Sequence, residues 1–352
     1  MAVDASPDLL RWLIAAVAFV IATALARRLA LATGFVANPN PIVRTHRAPI
    51  PYLGGAALVT MLALLVAAFA WIEGASPARA TLARLAAALA LCALGVWDDR
   101  RALGPGFKML FQLGVCAAYL AFADGPLRPV LLLKLLALVT VINAYNLIDV
   151  MDGLLCLLSA LPLVGLLAIP DLAAGPLRGE ITLGLIGLAA LFLFNAPPAR
   201  IYAGDGGSLP MGFLVAAWCL AAAGGQSPGA ALGVVGLVAI PLLELSLLIV
   251  ARVSQGLSPF RGSPDHYSLR LQDQARWSKW QVLTGSAAVG AWFALSPLAG
   301  ARWGAAWAVV YALSSLVLAV VLWWSVWRIP PPRRPVAAAA PIPAAEPSPL
   351  PR

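Results

Sequence analysis

Long apolar runs alternate with short polar breaks along nearly the whole chain. Eleven runs stand out, at 9–30, 52–72, 80–97, 107–123, 126–145, 150–170, 180–196, 208–223, 228–251, 280–299 and 302–327. Apolar stretches of roughly 17–25 residues match the hydrocarbon thickness of a bilayer. The pattern predicts an all-α integral membrane protein, a polytopic bundle of about eleven transmembrane helices. The 150–170 and 208–223 runs are the weakest as full spans. The first run is long and lacks a small-residue cleavage site, so it reads as a retained span. A lipid bilayer is therefore the first expected partner.

Composition agrees. Of 352 residues, 61% are hydrophobic and only 11% charged, too few charges for a soluble protein of this length. The net charge of +9 raises nucleic acid as a partner, but the basic residues are dispersed among the breaks. With the N-terminus outside, 17 of the 24 basic residues fall on the inner side and 7 on the outer. That bias predicts N-out, C-in topology and no nucleic-acid role. The inner loops are then 34–51, 98–106, 197–207 and 252–279. Cys92, Cys116, Cys156 and Cys219 all fall in apolar runs and read as packing residues. No fixed-period repeat or inverted duplication is visible. One membrane domain is expected over 1–328, followed by a disordered Pro/Ala-rich cytoplasmic tail at 329–352.

Eight acidic residues sharpen this picture: Asp98, Asp99, Asp149, Asp152, Asp205, Glu244, Asp265 and Asp273. Seven lie in or beside polar breaks, and Glu244 alone falls well inside an apolar run. A carboxylate at a membrane edge is costly, so its default reading is functional. The predicted topology puts all of these breaks on one face. The bundle would then carry catalytic cytoplasmic loops.

Five segments carry the candidate chemistry. In the first, Arg44, His46 and Arg47 can meet phosphate, with positive-inside anchoring as the other reading, and Gly54-Gly55 permits close backbone approach. The second is Asp98-Asp99 followed by Lys108. Adjacent carboxylates repel unless a cation is present, and Mg²⁺ takes one or two protein carboxylates plus water and phosphate. The third is Asn143, Asn146, Asp149, Asp152 and Gly153. The three-residue spacing would set two amides and two carboxylates along one slowly drifting helical stripe. The fourth, Gly204-Asp205-Gly206-Gly207-Ser208, suggests a phosphate cradle at a helix N-terminus, with Asp205 as metal ligand. The last loop holds Ser258-Pro259-Phe260, Arg261, His266 and Arg270, an anion-binding set.

In this order, the segments resemble the polyprenyl-phosphate N-acetylhexosamine-1-phosphate transferases over roughly residues 35–275. The match is strongest to the bacterial undecaprenyl-phosphate GlcNAc-1-phosphate transferase branch. The resemblance implies transfer of a sugar 1-phosphate from a UDP-sugar to undecaprenyl phosphate, with release of UMP and with Mg²⁺ or Mn²⁺ as cofactor. It implies the bacterial inner membrane and the first membrane step of an envelope polysaccharide pathway. Self-association into a homodimer is left open. By position, Asp98 and Asp99 match the paired-aspartate motif. Asn143, Asn146, Asp149 and Asp152 match the central motif, Asp205 the metal-binding aspartate, and His266 the first histidine of a histidine-rich loop. On that basis Asp98, Asp99, Asp149 and Asp152 are expected to be catalytic and Asp205 to bind metal. Arg44, His46, Lys108, Asn143, Asn146, Gly204, Arg261, His266 and Arg270 are expected to contact substrate.

The chain departs from the family pattern at four places. Ser268 and Leu269 stand where histidines are common, Val150 replaces a glycine, and Glu244 replaces an aspartate. Two other readings remain. One is a phospho-MurNAc-pentapeptide transferase, which would be expected to keep the histidine-rich loop. The other is a transporter, which tends to place ionisable groups near the midplane on broken helices; only Glu244 fits that pattern.

Overall fold

The computed structural model describes residues 6–37, 49–125, 129–168, 175–224, 233–259, 262–296, 298 and 304–331. Helices dominate them: α1 (Ser6–Ala32), α2 (Gly54–Ile72), α3 (Arg79–Arg100), α4 (Pro105–Ala123), α5 (Pro129–Ile148), α6 (Leu154–Leu167), α7 (Pro176–Asn195) and α8 (Asp205–Ala223). They continue with α9 (Ala239–Ser254), α10 (Tyr267–Asp273), α11 (Lys279–Ala294) and α12 (Ala305–Trp327). A two-stranded antiparallel ribbon pairs Val36–Ala37 with Ile50–Pro51. Each of the eleven apolar runs carries a helix. Among the described residues, eight helices are long and apolar enough to cross a membrane. Those at Leu154–Leu167, Ala239–Ser254 and Lys279–Ala294 are shorter, so eleven full crossings are not reached by length alone. The chain is a multi-pass helical membrane protein.

Helix starts follow local chemistry. Pro105 and Pro176 open α4 and α7, where a missing N–H costs nothing. Ser278 and Gln281 form a reciprocal capping box at the start of α11.

The 208–223 run, expected to be among the weakest as a full span, is the centre of the bundle. In α8, 83% of the spanning window is buried, against 11% in α12. It packs chiefly on α3 and α5. Glycines bring the backbones together. A Cβ on Gly95 of α3 would lie 2.1 Å from the Asp205 carbonyl oxygen. One on Gly55 of α2 would lie 2.0 Å from Gly207 Cα. Any side chain at these points would push α8 away from α2 and α3.

One expectation changes. α5 ends at Ile148, so Asn143 and Asn146 lie on the helix while Asp149 and Asp152 lie in the turn after it. Gly153, at φ +76°, and Asn195 close that turn, and a continuous helical stripe is not formed. Just past α12, the Ile329 carbonyl accepts from Arg270 Nη1 at 2.7 Å. Residues 332–352 lie outside the described residues.

Candidate active site

The C-terminal end of α3, the start of α4, the end of α5 and the start of α8 meet at one end of the bundle. Lys108 of α4 bridges two carboxylates there, with Nζ 2.7 Å from Asp98 Oδ2 and 2.9 Å from Asp205 Oδ2. The other oxygen of Asp98 accepts the Leu103 N–H at 2.6 Å and sets the α3–α4 turn. The other oxygen of Asp205 accepts from Asn146 Nδ2 at 2.8 Å, and that amide also donates to Ser208 Oγ at 3.0 Å. Residues from four helices thus converge on Asp205.

Asp99 does something different. Its two oxygens accept the N–H groups of Asp205 and Gly206, at 2.9 and 3.1 Å. The next two amides, of Gly207 and Ser208, donate to the Gly204 carbonyl at 2.9 Å each. The first four N–H groups of α8 are all satisfied within the chain. This corrects the expectation of an open phosphate cradle at this helix start. It also recasts Asp99 as the cap that fixes Asp205. Gly204 is corrected likewise from substrate contact to backbone geometry. It sits at φ +69°, and a Cβ there would lie 2.5 Å from Asp99 Oδ2. With those amides occupied, cations are left to meet a phosphate.

Asp149 lies just beyond α5. Burial pushes its carboxyl up to about 8, the charges of Asp205 and Asp99 add to the rise, and a hydrogen bond from the Gly204 backbone opposes it. Asp98, Asp99, Asp149 and Asp205 therefore form one electrostatically connected group. Among the described residues Lys108 is the one basic side chain bonded to it. The Tyr52 hydroxyl is pushed up to about 12, first by burial and then by Asp99, Asp149 and Asp205.

Asp152 is placed apart from the Lys108 node. Its Oδ2 accepts from Lys279 Nζ at 2.7 Å and from the Ala199 N–H at 3.1 Å, tying the α5–α6 turn to the 196–204 loop and to α11. Asn143 donates to Gln112 Oε1 at 2.7 Å and to its own helix at Val139, which locks α5 to α4. Asp152, expected to be catalytic, and Asn143, expected to contact substrate, thus both have partners within the chain.

In the last loop, His266 Nδ1 lies 2.9 Å from Glu244 Oε1, and Glu244 Oε2 accepts the Tyr267 N–H at 3.2 Å. The carboxylate buried inside an apolar run is therefore the anchor of the His266 loop. That removes the one feature that suited a transporter. Arg270 is corrected from anion ligand to brace: its guanidinium donates to the Asp265 carbonyl and side chain and to Ile329. Ser268 and Leu269 are buried in α10, so histidines there would face the interior. Arg44, His46 and Arg261 lie outside the described residues.

Several positioning residues escaped sequence reasoning. Asn195 accepts the Gly153 N–H at 2.9 Å and donates to the Ile201 carbonyl at 2.8 Å. Tyr202 takes part in a short backbone ladder, donating to Pro51 and accepting from Gly54. Its ring lies 6.3 Å from that of Tyr52, beside the carboxylates. The only signal for Asn195 was an amide ending an apolar run.

Among the described residues no three His, Cys, Asp or Glu side chains converge as a ready cage for a metal. Asp98 and Asp205 do present oxygens to a single cationic position, now held by the Lys108 ammonium. A donor set of one or two carboxylates fits a magnesium-type ion that completes its shell with water and phosphate.

These features define a polytopic helical membrane protein with a cluster of carboxylates where four helix ends meet. Comparison with known proteins narrows the class. The sequence profile of glycosyl transferase family 4 matches residues 81–223, which span α3 to α8. A decaprenyl-phosphate N-acetylglucosaminephosphotransferase of Mycobacterium tuberculosis is 31% identical over 309 residues, covering 74% of each chain. An undecaprenyl-phosphate alpha-N-acetylglucosaminyl 1-phosphate transferase of Yersinia pestis is 29% identical over 269 residues, covering 68% of this chain and 69% of its own. A Streptomyces coelicolor protein named only as a glycosyltransferase is 32% identical over 237 residues, 65% of this chain and 56% of its own. The chain belongs to glycosyl transferase family 4.

Proposed function

We propose that the chain transfers a sugar 1-phosphate, of the GlcNAc type, from a UDP-sugar to undecaprenyl phosphate, giving undecaprenyl-diphosphate-sugar and UMP. The observation that carries this reading is the node of Lys108, Asp98, Asp205 and Asn146 at the helix ends. The names of the Mycobacterium and Yersinia relatives, which give decaprenyl and undecaprenyl phosphate with an N-acetylglucosamine phosphate, support a polyprenyl-phosphate acceptor and a sugar-phosphate transfer. A lipid phosphate oxygen forms a bond to the sugar-linked phosphorus. The bond from that phosphorus to the UMP oxygen breaks, and its electron pair leaves on UMP. Positioning and charge neutralisation dominate such transfers.

The residues divide the work. At pH 7 a phosphate monoester is largely dianionic, so the attacking oxygen needs little general-base help. Lys108 neutralises phosphate charge and keeps Asp98 and Asp205 in register. Asn146 orients Asp205, and Asp99 fixes the α8 start that carries it. Asp149, the buried carboxyl beside Asp99 and Asp205, contacts the phosphate oxygens. Asp205 would hold a Mg²⁺ or Mn²⁺ ion, which would supply positive charge to the diphosphate and the departing UMP. His266, fixed through Nδ1 by Glu244, presents Nε2 to the donor.

The reaction face is proposed to be cytoplasmic in a bacterial inner membrane, with the N-terminus periplasmic. Ala102→Cys and Gln274→Cys, both at exposed loop positions, should resist an impermeant thiol reagent in intact cells and react once the membrane is opened. Labelling in intact cells would reverse the topology. The activity is tested by incubating membranes with undecaprenyl phosphate and labelled UDP-GlcNAc, UDP-GalNAc or UDP-MurNAc-pentapeptide. Label from UDP-GlcNAc should enter the lipid extract. Labelling from the pentapeptide donor alone would overturn the assignment.

A further inference from the structure

α12 stands apart from the bundle. Three pins hold it: the stack of Trp292 on Tyr311 at 5.0 Å, the Trp323 Nε1 donation to Ser246 at 3.1 Å, and the Arg270 clamp on Ile329. Between the pins lie two cavities. One, of about 300 Å³, is walled on the α12 side by Leu322, Trp323 and Val326. The other, of about 420 Å³, is walled there by Ala308, Ala312 and Leu316. Leu243 of α9 lines both, so they form two parts of one crevice between α12 and the α9–α11 pair. From Ala308 to Ile329 the crevice follows about 30 Å of helix, roughly one hydrocarbon thickness.

The lining chemistry selects the occupant. Hydroxyls and carboxylate on the walls are paired within the chain. Glu244 binds His266 and Tyr267, and Tyr267 bonds Ser286 at 2.8 Å. Ser296, Ser315 and Ser325 bond Phe293, Trp292 and Val321. Among the described residues the rest of the lining is largely apolar. Empty apolar space of this size is costly in a packed protein, and the solvent around these helices is lipid. At one end, exposed Arg276 precedes the lining residue Trp277, and exposed Arg328 precedes the lining residue Ile329. Arg328 stacks over Trp324 at 5.0 Å, and Gln274 holds the nearby Asp273 carboxylate. The same end carries aromatic rings of the kind that settle at headgroup level.

We infer that this crevice binds a phospholipid of the bilayer, with an acyl chain between α12 and α9–α11 and an anionic headgroup at Arg276 and Arg328. Glu244 and Tyr267 line the crevice and also anchor His266. A seated chain therefore supports the loop that carries His266 from behind.

The test needs no turnover, so its outcome is independent of the proposed transfer reaction. Full-length protein is incubated in mixed micelles with equal phosphatidylglycerol and phosphatidylcholine, and retained lipid is counted by native mass spectrometry. Wild type should retain phosphatidylglycerol about tenfold over phosphatidylcholine, the preference expected from two arginines near an anionic head. The double variant Arg276→Gln/Arg328→Gln should keep lipid but lose that preference. Leu243→Trp should lose both lipids. Ala319→Trp, which enters the crevice from the loosely packed α12, should do the same and stands in if Leu243→Trp does not fold. Equal retention of the two lipids by wild type would overturn the proposal. So would unchanged retention in a folded tryptophan variant, or displacement of the lipid by equimolar undecaprenyl phosphate, which would give the crevice to the acceptor.

Discussion

The two ends of α3 and α8 bury carboxylates in opposite ways. At one end Glu180, from α7, receives Arg84 Nε at 2.9 Å and Nη2 at 2.8 Å, together with Thr81 Oγ1 and Trp218 Nε1. One negative charge meets one positive charge, and both oxygens are saturated. At the other end Asp98, Asp99, Asp149 and Asp205 lie together, and the Lys108 ammonium bonds only Asp98 and Asp205. Desolvation penalises every charge at both ends. The first arrangement relieves that penalty inside the protein and leaves no charge for a ligand. The second leaves more carboxylates than the one bonded cation can neutralise. Buried carboxylates alone do not mark a site. Incomplete neutralisation at helix ends does.

The comparison can be broken at either end. The largest effect is expected for Asp205→Asn, where Lys108 and Asn146 both lose their shared acceptor. Transfer should fall by about 10³-fold, near the upper range for removing one pre-organised charge-stabilising group. Expression and helix content should stay normal. Near-normal rate in membranes with matched protein would move the reaction centre elsewhere.

His266→Ala should lower transfer by about 10²-fold, because Glu244 fixes one imidazole nitrogen and leaves the other for the donor. A rate above about a third of wild type, far short of losing one such donor, would make the His266–Glu244 pair a structural anchor like Arg84–Glu180. Asp152→Asn should cost about tenfold, in the range for a group that orients others. It weakens the Lys279 and Ala199 contacts while leaving the Lys108 node intact. A loss as large as that of Asp205→Asn would place Asp152 in the reaction itself.

Arg84→Met should have the smallest effect on rate and a large one on stability. Leaving Glu180 buried without its partner costs about 3–5 kcal/mol, read as a lower unfolding midpoint in detergent. The rate per folded molecule should stay within about twofold, since the Arg84–Glu180 pair lies at the far end of α3 from Asp98 and Asp205. Adding Glu180→Leu should recover part of the stability. A folded Arg84→Met protein with little activity would erase the distinction between the two ends.

Much of this was legible in the chain, and the limits have physical causes. Hydrophobic run length located every spanning helix because bilayer thickness sets that length directly. The polar breaks located Asp98, Asp99, Lys108, Asn146 and Asp205 because unpaired polar groups are excluded from lipid. Roles were harder to read. Whether α8 begins as an open anion site or under the Asp99 carboxylate depends on α3, more than a hundred residues earlier in the chain. The stop of α5 at Ile148 depends on Asn195, which the local three-residue spacing does not contain. Glu244 looked isolated because His266 reaches it only through a folded loop. Hydropathy does not report enclosure: α8, expected to be among the weakest full spans, is the most enclosed of the candidate spans.

Phosphorus is proposed to transfer at the Asp205 end with UMP as the leaving group. Purified protein, undecaprenyl phosphate and UDP-GlcNAc labelled with ³²P at the sugar-linked phosphate distinguish this from sugar transfer. Label should enter the lipid fraction, matched mole for mole by UMP, and be absent from the Asp205→Asn preparation. Label released as UDP would contradict it, because the sugar would then have moved without its phosphate.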